Sequence, residues 1–136
     1  FDPDEEAFAT PGDMQRKIDD ALDAQGAARP DSMAGYVRVI IESFARRYAR
    51  AIGELTEATG KAPDQLNLVG GGARNRLLCD LTAQISGVTV VRGPIEASTF
   101  GSLLAQLETI GALAEEDRAT VIAASAATHV HVPTRS

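Results

Sequence analysis

The sequence is poor in cysteine and in aromatic residues: it has one cysteine, no tryptophan, and aromatic residues at only 4% of its 136 positions. The single cysteine, Cys79, excludes an internal disulfide framework and suits a reducing compartment, so we expect a cytoplasmic protein. No apolar run approaches the roughly 20 residues that cross a bilayer, and no signal-peptide pattern opens the chain. The sequence therefore predicts no membrane partner.

Basic residues are outnumbered as well. The chain has 13 Lys and Arg residues against 19 Asp and Glu residues, which gives a formal net charge of −6. Affinity for nucleic acids depends largely on Lys and Arg that neutralise phosphates, so this balance disfavours DNA and RNA as partners. The chain is long enough for one hydrophobic core, and its opening at Phe1 resembles the interior of a longer protein. We therefore expect one domain, or a piece of one.

The first sixty residues have the patterns of helices. Residues 1–12 carry Asp-Pro, Thr-Pro and Pro-Gly pairs, which predict an extended surface segment. Asp13 predicts the cap of a helix over residues 14–24, and the strongest helical pattern runs over residues 31–59 and ends at Gly60. One face of this long helix is apolar, and its opposite, charged face is expected to be solvated. The apolar face consists of Val37, Ile41, Phe44, Tyr48, Ile52 and Leu55.

A strand–helix–strand unit follows the long helix. Apolar residues predict a short buried strand at 65–69, a helix at 75–86 and a second strand at 88–91. Short apolar strands on either side of one helix favour a parallel pair with a right-handed crossover. The sequence therefore predicts an α/β fold, in which several helices flank this strand–helix–strand unit.

Three further elements are predicted after this unit. They are a helix at 96–110, a shorter helix at 115–124 and a terminal strand or extended tail at 128–133. In the first of these helices small residues recur at four-residue spacing, which would let it pack closely against the strand–helix–strand unit. This small-residue strip consists of Ala97, Gly101 and Ala105.

Three consecutive glycines, Gly70, Gly71 and Gly72, lie between the first strand and the next helix. Glycine permits positive φ and a close approach of the backbone to a ligand, and the N–H groups that open the next helix attract anions. We therefore expect a nucleotide phosphate to bind here. The Walker loop is excluded, because no Lys followed by Ser or Thr comes after the glycines.

Two other interpretations of the glycines stay open. A dinucleotide fingerprint needs a glycine where the chain has Asn75, although Arg92 after the second strand is a residue type that favours NADP over NAD. The chain would then be a fragment of an NADP-binding oxidoreductase. In the other interpretation the glycines form a purely structural turn in a non-catalytic packing module. For three glycines at a strand end we favour contact with a ligand.

Two motifs about twenty residues apart carry a family resemblance. The first is Gly-Gly-Gly-Ala-Arg-Asn at residues 70–75, and the second is Gly-Pro-Ile-Glu-Ala-Ser-Thr at residues 93–99. Together with the long helix before them, they closely resemble the C-terminal domain of the FGGY carbohydrate kinases, and the resemblance extends over nearly the whole chain. It implies the actin-like ATPase (ribonuclease-H-like) fold, with residues 1–136 as a C-terminal portion that lacks the N-terminal domain.

The resemblance implies a kinase that transfers phosphate from ATP, with Mg²⁺, to a ketose such as L-rhamnulose; fuculose and xylulose are competing substrates. It assigns Gly70, Gly71, Gly72 and Ala73 to nucleotide binding and Asn75 to a contact beside the adenine. It places the catalytic base, most of the sugar pocket and the main contacts to the metal in the part of the protein that this chain lacks. We therefore expect the chain alone to be inactive, and to self-associate through apolar faces that the missing domain would cover.

Other residues with functional chemistry receive structural interpretations. His129 and His131 would share one face of a strand, but two histidines without a third ligand are more typical of an exposed surface than of a metal site. Cys79 has no neighbouring pattern that would make it a nucleophile. Glu96 is explained by the helix dipole as well as by ligand contact. The acidic residues within 2–6 are expected to be solvated.

Overall fold

The computed structural model describes residues 1–125 and 128–134, and the chain falls into two compact units, Phe1–Ala62 and Pro63–Ser136. The first unit is helical, and the second contains a small sheet. Within the described ranges no helix combines the length and the apolar character that a membrane crossing requires.

The first unit consists of the helices α1 (Glu6–Ala9), α2 (Met14–Ala24) and α3 (Met33–Thr59). Helix α2 begins as predicted, because the carboxylate of Asp13 accepts a hydrogen bond from the Arg16 N–H at 3.1 Å. Gly60 ends α3 in the left-handed conformation with φ +68°, which also confirms the prediction.

The prediction of an extended segment over residues 1–12 is wrong. Residues 6–9 form α1, and the rings of Phe1 and Phe8 lie 4.7 Å apart, packed against a buried cluster of Ile18, Leu22 and Tyr36. The Asp2-Pro3 pair does form a turn, but turn residues do not determine the path of the whole segment. Burial of two phenylalanine rings in a polar stretch is favourable enough to fold the segment back.

The acidic cluster near the start of the chain is not simply solvated, which corrects a second prediction. Asp2 Oδ2 lies 2.7 Å from Arg50 Nη2, and Asp4 pairs with Arg47. Both arginines belong to α3, so the charged face of this helix is only partly solvated. The local sequence could not predict these pairs, because their partners are more than forty positions apart.

The predicted apolar face of α3 is displaced around the helix. Val37, Phe44 and Leu55 are 48%, 41% and 53% exposed, whereas Tyr36 and Ser43 are buried. The buried side of α3 packs against α2 and the first residues of the chain. The terminal amine of Phe1 donates a hydrogen bond to Ser43 Oγ at 3.2 Å. Helix α3 therefore has more apolar side chains than α1 and α2 can cover.

The second unit alternates strands and helices. Its elements are β1 (Gln65–Leu68), a 3-10 turn (Gly71–Arg74), α4 (Arg76–Ser86), β2 (Thr89–Arg92), α5 (Ala97–Thr109), a second 3-10 turn (Glu115–Asp117), α6 (Arg118–Ser125) and β3 (His129–His131). They agree closely with the predicted boundaries, because glycines, prolines and caps mark most of the ends.

The described strands form one sheet in the order β1-β2-β3. Strands β1 and β2 are parallel, with Leu68 opposite Arg92, which confirms the predicted parallel pair. Strand β3 is antiparallel to β2, with His129 opposite Arg92 and His131 opposite Val90. Directly opposed residues share a face, so Leu68, Arg92 and both histidines lie on the same side of the sheet as Val90.

The core of the second unit lies between α4 and this face. Cys79, Ala83 and Val90 are completely buried, and Leu66 and Leu68 pack against them. Strand β1 alternates between exposed and half-buried residues, which corrects the prediction of a buried strand. In helix α4, Leu78 and Leu81 are buried, whereas Ile85 is 37% exposed. A single helix covers only one face of a sheet.

The small-residue strip on α5 does not pack as predicted. Gly101 and Ala105 are exposed, and in the described part of the chain no atom beyond the neighbouring backbone lies within 4 Å of a Cβ placed on Gly101. The buried residue of α5 is Leu104, at 2% exposure. A large aliphatic side chain gains more free energy from burial than alanine and glycine do, so the helix turns Leu104 inward.

Candidate functional site

The two sequence motifs meet at one edge of the sheet. Residues 70–75 follow β1 and residues 93–96 follow β2, and both parallel strands end at this edge. The Gly93 N–H donates to Leu68 O at 2.8 Å, and the Gly70 N–H donates to Pro94 O at 3.2 Å. Ligands of open α/β sheets bind at the carboxyl ends of the strands. We call residues 70–75 and 92–96 the glycine edge and treat it as the candidate site.

Two glycines of this edge are required by the fold itself. Gly70 has φ +76° and ψ −159°, a conformation that is essentially restricted to glycine. A Cβ on Gly93 would lie 2.8 Å from Val69 Cγ1, so a side chain here would collide with the loop after β1. The conformation of the first and the close contact of the second explain both residues without any ligand.

Gly71 and Gly72 have no such explanation. Neither has a positive φ, a Cβ on Gly71 would meet no atom within 4 Å in the described structure, and a Cβ on Gly72 would meet Leu78 Cδ2 at an ordinary 3.9 Å. Both are exposed at the start of the 3-10 turn, and among the described residues neither N–H has a backbone acceptor. Bare backbone at these two positions leaves room and donors for a ligand outside the fold.

Ala73 and Asn75 hold the turn in place. The Ala73 N–H donates to Gly70 O at 3.1 Å, and its side chain is 3% exposed. Asn75 is the N-cap of α4, because its Oδ1 accepts from the Leu78 N–H at 3.1 Å. This cap uses the carbonyl oxygen of the Asn75 side chain, and the side-chain NH₂ group makes no hydrogen bond among the described residues.

An open cleft of about 450 Å³ lies beside the glycine turn. Its basic lining comes from Arg74, Arg92 and His129, and the remaining lining residues are Ala73, Gly93 and Ile95. No carboxylate belongs to this lining. The sequence did not predict this grouping, because it depends on β3 pairing with β2 and placing His129 opposite Arg92.

Arg92 connects the end of β2 to the glycine turn. Its Nη1 donates to Ala73 O at 3.3 Å, while its Nε is buried and has no hydrogen-bond partner among the described residues. In the dinucleotide interpretation Arg92 is the residue that favours NADP over NAD. In the structure its guanidinium contacts the backbone of the turn, and Nη2 makes no hydrogen bond among the described residues.

The prediction that both histidines are exposed is half wrong. His129 is exposed, but the side chain of His131 is only 8% exposed, and its Nδ1 lies 2.5 Å from Asp80 Oδ1. Asp80 also lies 3.5 Å from Arg76 Nε. The pair joins β3 to α4, a contact between residues 51 positions apart that no local pattern indicates.

Cys79 is a core residue, in agreement with its structural interpretation. It is fully buried, and burial raises the pKa of its thiol, although the nearby charge of Arg92 opposes this effect. Within the described ranges no group of three or more His, Cys, Asp or Glu side chains is arranged to hold a metal ion. The glycine edge contains Arg74, Arg92 and a single carboxylate, that of Glu96, so its side chains supply no cluster of oxygen ligands for a resident Mg²⁺.

Residues 1–109 match the family model described as the FGGY family of carbohydrate kinases, C-terminal domain. Among curated proteins, the chain is 41% identical over 117 residues to a rhamnulokinase of Klebsiella pneumoniae (strain 342) and 39% identical over 117 residues to one of Enterobacter sp. (strain 638). These alignments cover 86% of this chain and 24% of each relative.

A more distant relative is the rhamnulokinase of Bacteroides thetaiotaomicron, 36% identical over 111 residues, which are 82% of this chain and 23% of that protein. The chain therefore spans about a quarter of the length of the curated relatives that it matches.

Proposed function

Because the chain belongs to the FGGY family of carbohydrate kinases, we propose that it forms the nucleotide-binding wall of the active site of an ATP-dependent sugar kinase. The proposal is supported by the position of the glycine edge at the carboxyl ends of two parallel strands. It places ATP or ADP against Gly70, Gly71, Gly72 and Ala73, with Asn75 beside the adenine. It also assigns the chain to the ribonuclease-H-like branch of α/β folds.

The main observation behind this proposal is that positions 71 and 72 are both glycine although the fold does not require glycine there. The fold would accept a methyl group at either position, yet both positions have bare, exposed backbone with N–H groups that lack backbone acceptors in the described structure. A ligand that approaches the main chain closely, such as the phosphate-bearing part of a nucleotide, accounts for both features. A purely structural turn would account for Gly70 alone.

The residues of this chain would bind and orient the nucleotide rather than react with the sugar. Backbone N–H groups and arginines stabilise phosphate charge, and phosphoryl transfer depends mainly on such positioning and stabilisation. Mg²⁺, when bound with ATP, neutralises phosphate charge, and we propose that phosphate oxygens and residues outside this chain hold it. We assign no catalytic base to this chain and expect no kinase turnover from it alone.

For the sugar, we propose a ketose, with L-rhamnulose first and fuculose or xylulose as alternatives. The support is that the relatives named above are called rhamnulokinases. A longer protein containing this chain should phosphorylate L-rhamnulose with a higher kcat/KM than the other two sugars. A reversed order would exclude this substrate while leaving the role of the glycine edge intact.

The direct test of the nucleotide role is Gly71→Ala, measured by calorimetric titration of the chain with ATP. We expect the affinity to fall about tenfold, because the methyl group displaces the ligand from one or two backbone hydrogen bonds. Gly101→Ala is the matched control: it is also an exposed glycine with open space around it, but it lies on α5. Equal affinity of all three proteins for ATP, or no binding to any of them, would contradict the proposal.

Self-association of the chain is a further part of the proposal. Val37, Phe44 and Leu55 on α3 are 41–53% exposed, and burial of such side chains between copies would be favourable. Sedimentation velocity should show a concentration-dependent increase in mass, which Phe44→Glu reduces. A monomer at every concentration would exclude this part.

The oxidoreductase alternative has less support. Asn75 occupies the third glycine position of a dinucleotide fingerprint, and its side chain caps α4. The buried single cysteine suits a reducing compartment that contains ATP, so we propose the cytoplasm as the location.

A further inference from the structure

The arginines of the glycine edge differ from the other arginines of the chain in their surroundings. Every other arginine that the structure describes lies 4.0 Å or less from a carboxylate. In residues 1–125 and 128–134, Arg74 and Arg92 have no carboxylate within that distance. Both line the same cleft. Asp80 lines the adjoining cleft together with Arg92 but forms no ion pair with it. In a chain with a net charge of −6, two neighbouring arginines without a direct carboxylate partner require an explanation.

Burial strengthens the case for Arg92. It is half-buried, where a positive charge is more costly than at the surface, and its single hydrogen bond leaves Nε shielded and without a partner in the described part of the molecule. Arginine has five N–H donors in a planar arrangement that matches the oxygens of a phosphate. Arg92 lines the cleft, its Nη1 is held by Ala73 O, and its Nη2 makes no hydrogen bond in the described structure, so Nη2 is the donor that remains for an anion in the cleft.

The neighbouring backbone has the same character. The exposed N–H groups of Gly71 and Gly72 lie in the same turn as Arg74, and the cleft lining contains no carboxylate that would repel an anion. The cleft with the two arginines and the two glycine N–H groups therefore belong to the same short turn and its immediate surroundings. This combination is typical of sites that bind phosphate rather than a metal ion or an apolar group.

We propose that Arg74 and Arg92 form an anion subsite that binds a phosphate group at the glycine edge. The proposal rests on the proposed function in one respect: it identifies the occupant as a phosphate of the bound nucleotide. Its chemistry, recognition of a phosphate by two arginines and the turn, is independent of adenosine and can be tested separately.

The test is a titration of the ¹⁵N-labelled chain with tripolyphosphate, followed by NMR of the Gly71 and Gly72 amides and the Arg92 Nε–H. We expect these signals to shift together, and Arg74→Gln and Arg92→Gln each to weaken binding by about tenfold, the loss of one charge-assisted hydrogen bond. Arg74 is exposed and makes no side-chain hydrogen bond in the described structure, so its substitution leaves folding intact even if Arg92→Gln does not. Arg118→Gln is the control, because it removes the same charge from a pair with Glu108.

Unchanged affinity for tripolyphosphate in Arg74→Gln, or shifts confined to residues outside the glycine edge, would overturn the subsite. Parallel titrations with ATP and adenosine separate this result from a failure of the proposed function. If ATP shifts the glycine turn equally in the wild type and in both variants, the nucleotide role stands and the subsite is wrong. If tripolyphosphate binds as expected but ATP and adenosine do not shift Asn75, the subsite stands and its occupant is another phosphate compound.

Discussion

The first residues of the chain and the glycine edge both bring arginines next to turns, but they use them differently. At the start of the chain Arg47 and Arg50 pair with Asp4 and Asp2, and Arg47 Nη1 lies 3.6 Å from Glu54 as well. At the glycine edge Arg74 and Arg92 have no carboxylate within 4.0 Å in the described structure. Both arginines of the first arrangement have carboxylate partners, although Arg47 Nη1 makes no hydrogen bond among the described residues, whereas the two arginines of the second have none.

The two regions therefore use their arginines for different purposes: the first stabilises the fold, and the second is available for binding. Charges that satisfy each other fix a segment, as residues 1–9 are fixed on α3. Charges and N–H groups that remain unpaired at one edge carry a cost in the free protein, and a ligand can recover that cost on binding. Each prediction below changes one side of this comparison.

The largest expected effect comes from Gly70→Ala. A side chain would have to adopt φ +76° and ψ −159°, which costs on the order of 1–3 kcal/mol, so we expect the free energy of unfolding of the second unit to fall by that amount. Cys79 reports this unit alone, because it is the single cysteine of the chain and is fully buried. Its rate of reaction with a thiol reagent in increasing urea is the measurement.

Gly71→Ala is the control for this effect. It should leave the Cys79 reaction unchanged, since the fold has room for its methyl group. A loss of stability as large as that of Gly70→Ala would mean that the fold requires both glycines, and the distinction between structural and ligand-facing glycines would be lost.

A smaller effect should appear at the start of the chain on acidification. The Asp4 N–H and, after it, Arg50 hold the pKa of Asp2 below its ordinary value of 3.8. Because the folded-state pKa is lowered, these contacts stabilise the fold above about pH 3.8 and are lost as the pH falls through the folded-state pKa.

Both tyrosines lie on α3, so tyrosine circular dichroism reports the first unit. We expect the loss of tyrosine circular dichroism on acidification to be smaller in Asp2→Asn than in the wild type. This variant keeps an oxygen that accepts from the Asp4 N–H but lacks the charge that attracts Arg50. An identical transition in the variant would show that the pair has no share in fixing residues 1–9.

The smallest expected effect is on the midpoint of thermal unfolding, when one arginine from each region is replaced in turn. Arg47→Gln should lower the midpoint of thermal unfolding slightly, because it removes the partner of Asp4, while surface ion pairs contribute little. Arg74→Gln should leave the midpoint unchanged or raise it, because it separates unbalanced positive charges at the cleft. Thermal unfolding without nucleotide checks both, and the opposite order would remove the contrast between the two regions.

Much of the fold could be predicted because it depends on local chemistry. Asp13, Gly60 and Asn75 mark helix ends, and the parallel pair of strands follows from apolar runs around one helix. The predictions failed where distant residues decide the outcome. Residues 1–9 pack on α3, and Leu104 rather than the small-residue strip is buried, because tertiary contacts determine which apolar residue gains most.

The candidate site could be predicted in part. The three glycines identified the turn, but only the backbone conformation distinguishes Gly70 from Gly71 and Gly72. Arg74 and Arg92 lie eighteen positions apart in sequence and meet at one cleft through the pairing of the strands. Their lack of carboxylate partners depends on the positions of all neighbouring side chains, which a sequence pattern does not contain.

The most direct test of the account is a crystal structure of the chain, or of a longer protein that contains it, with a non-hydrolysable ATP analogue. We predict that the N–H groups of Gly71 or Gly72 lie within hydrogen-bonding distance of the nucleotide, about 3 Å, with a phosphate in the cleft of Arg74 and Arg92. A nucleotide bound elsewhere, with the glycine edge facing solvent, would contradict the central claim.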